Sequence, residues 1–191
     1  MDFLPVDWNT YHSDVFELAK KITFSGKKFD LLIGISRGGL TLSHILSDFI
    51  DLPITTFTIS SYHDLQQDTV PKIILKLGEK LHNKRILLVD DISDSGKTFI
   101  RGTTYLQSVG AESIHTASLF VKHHTEFTPT YSVHSIESET WLIFPYERRE
   151  TIQSLIRRFS KEGMSYEQIV HELKTLKIED HFISYYFPKD S

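Results

Sequence analysis

There is no cysteine in the chain, so disulfides and thiolate metal sites are excluded, and a reducing cytosol suits the composition. No apolar run approaches the roughly 20 residues a membrane-spanning helix needs. The opening MDFLPVDWNT has no basic stretch followed by a long apolar core, so neither a membrane anchor nor a signal peptide is expected. An excess of positive charge is missing too: 21 Lys and Arg stand against 25 Asp and Glu, a formal net charge of −4. Such a chain exerts no general pull on DNA, RNA or anionic lipid, which makes nucleic acid and membrane unexpected partners. Internal repeats and low-complexity segments are also absent. What is present, 40% hydrophobic and 24% charged residues over 191 positions, describes a soluble globular chain able to bury a sizeable core. One domain with an appendage, in the cytoplasm, is the expectation.

Along the chain, Trp8, Tyr11, Val15, Leu18, Ala19 and Ile22 fall at helical spacing. Phe29 to Ile35 is a nearly continuous apolar run that ends at Ser36-Arg37-Gly38-Gly39, and Leu40, Leu42, Ile45, Leu46 and Phe49 follow with a helical period. Strand, glycine turn, helix is the reading. Ile54 to Ile59 is a strand candidate, and much of the polar stretch 62–83 reads as a long loop of the kind that serves as a lid. A strand over Arg85–Asp90, a helix over Thr98–Val109 stopped by Gly110, and a strand over Ile114–Val121 complete the alternation. Shorter strands are expected over 131–136 and 141–144. Continuous apolar strands alternating with helices predict an α/β fold with a mainly parallel sheet covered on both faces. Beyond about residue 148 the pattern turns helical, with Gly163 as a break and Ser165 and Gln168 spaced as a capping box.

The chemistry concentrates in Leu87-Leu88-Val89-Asp90-Asp91-Ile92-Ser93-Asp94-Ser95-Gly96-Lys97-Thr98. Gly96-Lys97-Thr98 matches the tail of a nucleotide P-loop, but the glycine that opens that pattern falls at Asp91. A carboxylate there would repel a triphosphate. A single terminal phosphate fits better, held by the amides of residues 95–98 at a helix N-terminus with hydroxyls from Ser95 and Thr98. Asp90 and Asp91 then lie where a sugar diol would sit. They suit its hydroxyls or a hydrated Mg²⁺, which favours few protein carboxylates with waters and phosphate oxygens. Asp94 is placed to act as a general base.

This segment resembles the phosphoribosyl-pyrophosphate motif of the type I phosphoribosyltransferases, and Gly34-Ile35-Ser36-Arg37-Gly38-Gly39 resembles their pyrophosphate loop. The resemblance spans roughly residues 8–147. It implies a type I core with a small hood over residues 1–147, followed by a C-terminal helical extension over 148–191. It further implies that Asp90 and Asp91 bind ribose hydroxyls and Mg²⁺, possible water bridges included. Asp94, Ser95, Gly96, Lys97 and Thr98 then take the 5′-phosphate side, with Asp94 catalytic, and Ser36, Arg37 and Gly38 hold pyrophosphate. In this family the peptide joining the residues equivalent to Ser36 and Arg37 is often cis. Ser61-Tyr62 resembles the flexible loop that closes over the site in the purine enzymes. Related xanthine–guanine enzymes carry an arginine in that loop, whereas residues 63–84 here contain none.

Phe120-Val121-Lys122 and Glu139-Thr140-Trp141-Leu142-Ile143-Phe144-Pro145 resemble the base-binding parts of xanthine–guanine phosphoribosyltransferases. By that resemblance Lys122 bonds a 6-oxo group, Trp141 stacks on the purine, and the Leu142 backbone reads position 2. The chemistry agrees: an ammonium donor suits a carbonyl and excludes adenine's amino group, and an indole face suits a flat base. The implied reaction transfers 5-phosphoribose from phosphoribosyl pyrophosphate to xanthine, guanine or hypoxanthine, in a homo-oligomer. The rivals are transfer to another base, such as a pyrimidine, and a non-catalytic regulator that keeps the phosphoribosyl-pyrophosphate pocket. The histidines read as dispersed; His123 and His124 are adjacent, and neighbours in a strand or loop point apart, which argues against zinc.

Overall fold

The computed structural model describes residues 2–63, 66–78 and 80–189, with the side chains of 61–70 outside the described set. In chain order the elements are β1 (Asp2–Pro5), α1 (Trp8–Phe24), β2 (Leu31–Ser36), α2 (Gly38–Ile50), β3 (Ile54–His63), β4 (Gln66–Leu75), β5 (Arg85–Val89), β6 (Ile92–Ser93), α3 (Lys97–Ser108), β7 (Ser113–Lys122), β8 (Tyr131–Ile136), β9 (Thr140–Ile143), α4 (Arg148–Lys161), α5 (Tyr166–Thr175) and α6 (Asp180–Tyr186). Contacts group His12–Ser138 as one compact unit and Met1–Tyr11 with Glu139–Ser191 as another.

The larger unit is built on a sheet ordered β4-β3-β2-β5-β7-β6, with β8 also paired to β7. Every pairing is parallel except β3 with β4. The apolar runs expected to form central strands do so, and all of Leu31–Ile35 and Ile86–Val89 is buried. Alternation sends the residues of each strand to two faces. Leu31, Ile33, Ile35, Ile86 and Leu88 join Phe57, Phe99, Tyr105 and Leu106 in the core under α3. Gly34 points the other way, where a Cβ would come within 2.6 Å of Ser43 Oγ on α2, so the helix sits tight on the strand. At the opposite end of β2 and β5, Asp30 and Arg85 form a two-pronged ion pair at 2.9 and 2.7 Å, and the Arg85 amide also donates to Asp30 at 2.8 Å.

The chain leaves β2 through α2 toward β3 on one side, and leaves β5 through α3 toward β7 on the other. Connections therefore diverge between the carboxyl ends of β2 and β5, the place where open α/β sheets bind ligands.

One expectation is corrected. The strand beginning at Ile54 runs on to His63, and the stretch expected to be mostly loop contains β4, which closes a hairpin with β3. β4 pairs on one side only, so it has no continuous apolar run to announce it. Register shifts between Thr58 and Ile59 and between Ser60 and Tyr62 also blur its period.

In the smaller unit, β1 pairs in parallel with β9, and α4, α5 and α6 share a core of Ile152, Leu155, Phe159, Ile169, Leu173 and Ile183. Gly163 adopts φ 80°, ending α4, and the capping box forms in full: the Gln168 amide donates to Ser165 Oγ and the Ser165 amide to Gln168 Oε1 at 2.8 Å. β1 and α6 are too short to carry a periodic signal and were not expected. No described helix is long and apolar enough to cross a membrane.

Candidate active site

Two strand ends and two helix starts meet at the divergence point. β5 is followed directly by Asp90 and Asp91, which are 9% and 6% exposed. Their backbone is pinned to β7: the Asp90 amide donates to Ala117 O, and Asp91 O accepts from the Leu119 and Phe120 amides. Asp90 Oδ1 accepts from the Asp91 amide at 3.1 Å. β2 ends in Ser36, whose peptide to Arg37 is cis, and Gly38 opens α2. A Cβ on Gly38 would stand 2.5 Å from both Asp91 carboxylate oxygens, and one on Gly39 would stand 2.5 Å from Val89 O. The turn at 36–39 thus touches the acidic strand end directly, and only glycines allow that approach. The residues assigned to pyrophosphate and those assigned to ribose form one locus.

The loop expected to take the 5′-phosphate is equally constrained. Gly96 takes φ 81° as the N-cap of α3 and has no side chain to cap the first turn. The amides opening α3 therefore face outward with the positive end of the helix dipole behind them. Lys97 and Thr98 are the first two residues of that helix. The loop leans on residues 125–127: Ser93 Oγ donates to Phe127 O at 2.7 Å, and Ser95 O accepts from the Glu126 amide at 3.1 Å. A Cβ at Gly96 would strike the Phe127 amide nitrogen at 2.5 Å, so glycine is required there twice over, by conformation and by space.

Asp94 is a junction. Its Oδ2 meets Lys122 Nζ at 3.2 Å and its Oδ1 meets His124 Nε2 at 3.0 Å. Lys122 is the last residue of β7, and its side chain is only 12% exposed. Two expected site residues, distant in sequence, are thereby brought together. His124 was missed as a site residue. The available signal was its spacing, since residues two apart beyond a strand end share a side. The adjacent His123 turns the other way, to Glu137 at 3.2 Å.

Ser61 and Tyr62 lie near the end of β3, and the Tyr62 backbone is in register with Gln67; their side chains lie outside the described residues. Trp141 and Leu142 lie on β9 in the smaller unit, Trp141 46% exposed and Leu142 buried.

For Mg²⁺, the donor set is apt: two adjacent carboxylates offer hard oxygens beside the turn at 36–39, without the crowded cage that this ion does not need.

The chain is similar to known proteins in both sequence and fold. The model of the phosphoribosyl transferase domain matches residues 7–149. Among solved structures, a purine phosphoribosyltransferase from Pyrococcus horikoshii Ot3 is similar at 32% identity and a TM-score of 0.67, covering 76% of this chain and 95% of that one. A xanthine-guanine-hypoxanthine phosphoribosyltransferase from Helicobacter pylori is similar at 28% identity and 0.67, over 80% and 99% of the two chains. A hypoxanthine phosphoribosyltransferase from Staphylococcus aureus follows at 26% identity and 0.57, over 67% and 76%. With that family model matched over residues 7–149, the chain belongs to the phosphoribosyltransferase family.

Proposed function

We propose that the protein transfers 5-phosphoribose from phosphoribosyl pyrophosphate to a 6-oxopurine and releases pyrophosphate. The observation that carries this reading is the Asp94–Lys122 pair, with 3.2 Å between the carboxylate and the ammonium. A 6-oxopurine presents a carbonyl oxygen and N7 side by side on one edge. Lys122 donates to O6, and Asp94 accepts the proton on N7. Adenine offers an amino group at position 6, which an ammonium rejects.

In the proposed reaction N9 attacks C1′ of the sugar, the bond from C1′ to pyrophosphate breaks, and the proton on N7 passes to Asp94. A carboxylate has lone pairs for more than two donors, so Asp94 can serve the base while held by Lys122 and His124. These two side chains also fix its orientation. The α3 amides, Ser95 and Thr98 hold the 5′-phosphate, Asp90 and Asp91 the ribose hydroxyls, and Arg37 and the adjacent amides the departing pyrophosphate. Mg²⁺ at Asp90 and Asp91 would shield the pyrophosphate charge. Stacking of the purine on Trp141 and a position-2 contact from the Leu142 backbone belong to the same reading. Closure by Ser61-Tyr62 would exclude water that otherwise captures the activated sugar. Homo-oligomerisation, common in the family, and a cytoplasmic location belong to the same reading.

Pyrophosphate release with phosphoribosyl pyrophosphate and each of guanine, hypoxanthine, xanthine, adenine and uracil tests it. Release with one or more 6-oxopurines and none with adenine is expected. Release with uracil alone would identify a different base, and silence with every base beside tight phosphoribosyl-pyrophosphate binding would mark a regulator.

A further inference from the structure

The Asp94 carboxylate needs anchors to hold one orientation, because the torsion that turns a carboxylate has broad, two-fold preferences. Lys122 Nζ on Oδ2 at 3.2 Å is one anchor. It is a mobile point charge with three rotatable donors, and in the proposed reaction it also serves O6 of the base. A carboxylate held by that group alone would follow it as the base binds. His124 Nε2 on Oδ1 at 3.0 Å is the second anchor. An ionised carboxylate only accepts hydrogen bonds, which assigns the proton of this contact to Nε2.

The His124 and Asp94 side chains are 44% and 36% exposed. A pair so open to water carries little weight unless something else places it. Here the backbone and its neighbours do. The Thr125 amide donates to Lys122 O at 3.1 Å and closes the turn that carries His124. Thr125 Oγ1 lies 3.0 Å from Ser93 Oγ, and the Glu126 amide donates to Ser95 O at 3.1 Å. Phe127 O accepts from Ser93 Oγ at 2.7 Å, and the Phe127 ring stacks on Phe99 with centroids 5.4 Å apart. Residues 124–127 are therefore fastened to Ser93 and Ser95, on either side of Asp94. The imidazole is delivered to the carboxylate by a turn that is itself held in place.

We propose that His124 is a positioning residue for the transfer: its Nε2–H fixes the Asp94 carboxylate, so that a lone pair stays aimed at N7 while Lys122 turns to O6. In this role His124 acts through Asp94 and needs no contact with base or sugar. The role rests on Asp94 accepting the N7 proton, as proposed above.

Steady-state transfer to hypoxanthine is compared in the unaltered chain, His124→Ala, His124→Gln, Asp94→Asn and the Asp94→Asn/His124→Ala double variant. His123→Ala, which removes the neighbour that turns to Glu137 at 3.2 Å, is the control and should match the unaltered chain. His124 is exposed, so the substitutions leave the core intact, as thermal melting verifies. His124→Ala should lower kcat by on the order of tenfold, with KM for hypoxanthine and for phosphoribosyl pyrophosphate changed by less than about threefold. Glutamine offers an amide N–H in place of Nε2–H, so His124→Gln should recover most of that loss. In the Asp94→Asn background, His124→Ala should change kcat by less than about twofold, because the group it positions is gone. An unaltered kcat in His124→Ala, a glutamine variant no faster than the alanine one, or an equal loss in the Asp94→Asn background overturns the positioning role. No transfer to any 6-oxopurine by the unaltered chain overturns the reading of function beneath it, and the role of His124 falls with that reading.

Discussion

Gly38→Ala isolates the contact between the two loops of the candidate site. Gly38 does not take a positive φ, so alanine fits its backbone, and as the first residue of α2 it gains helix propensity of up to about 1 kcal/mol. The obstacle is space alone. The added Cβ would stand 2.5 Å from both Asp91 carboxylate oxygens and 2.6 Å from Cγ, against 3.4 Å for the start of ordinary contact. Carboxylate and turn must therefore separate by roughly 0.9 Å, the difference 3.4 − 2.5. Misplacement on the scale of 1 Å costs about 100-fold in a reaction that depends on positioning. Steady-state pyrophosphate release should thus fall by about two orders of magnitude in kcat/KM for phosphoribosyl pyrophosphate, while the melting temperature stays close to that of the unaltered chain. Gly78→Ala, whose Cβ would meet nothing within 4 Å, is the control and should be neutral in rate. A Gly38→Ala enzyme of unaltered rate, or one that loses rate only in step with stability, would refute the claim that this contact sets the ligand geometry.

Three further outcomes follow from the same structure. Asp94→Asn should lower kcat by about 10²- to 10⁴-fold and shift the dissociation constant for phosphoribosyl pyrophosphate far less; equal losses contradict the base role. Lys122→Met should raise KM for the 6-oxopurine by roughly 10- to 100-fold, the value of a lost charged hydrogen bond, with KM for phosphoribosyl pyrophosphate little changed; an unaltered base KM counts against the assignment. The third concerns pH. The Arg85 guanidinium, then the Arg85 amide, hold the Asp30 carboxyl well below the usual carboxylate range. A carboxylate with a depressed folded-state pKa contributes stability above its unfolded value of about 3.9, and the contribution is lost as pH falls through the folded value. Asp30→Asn should therefore lower the melting temperature at pH 7, with the gap narrowing below about pH 4. A gap constant from pH 7 to pH 3 would rule out this linkage.

The central strands were legible because burial on both faces writes itself as a continuous apolar run, as in Leu31–Ile35 and Ile86–Val89. The turn from β5 into α3 was legible because its signals fall on adjacent residues: acids at 90 and 91, a glycine at 96, and a helical stretch from Thr98. β4 was not, since an edge strand with exposed Ile74 and Leu75 follows neither a buried run nor a clean alternation. β1 was hidden for another reason. Its four residues are ordered by pairing with β9, far along the chain, and nothing local signals that. His124 illustrates the same limit at the site. Its spacing from Lys122 was visible, but its contact with Asp94 depends on how β7 and the 94–97 loop are laid side by side.

The sharpest test of the central claim, that Asp94 and Lys122 together read the N7–O6 edge of a 6-oxopurine, is a substrate-by-variant cycle. Phosphoribosyl transfer is measured with hypoxanthine and with 7-deazahypoxanthine, which keeps O6 and replaces N7 by carbon, in the unaltered chain and in Asp94→Asn. A large preference for hypoxanthine that collapses toward unity in Asp94→Asn is the predicted result. A preference of the same size in both proteins, or none in the unaltered chain, would contradict it.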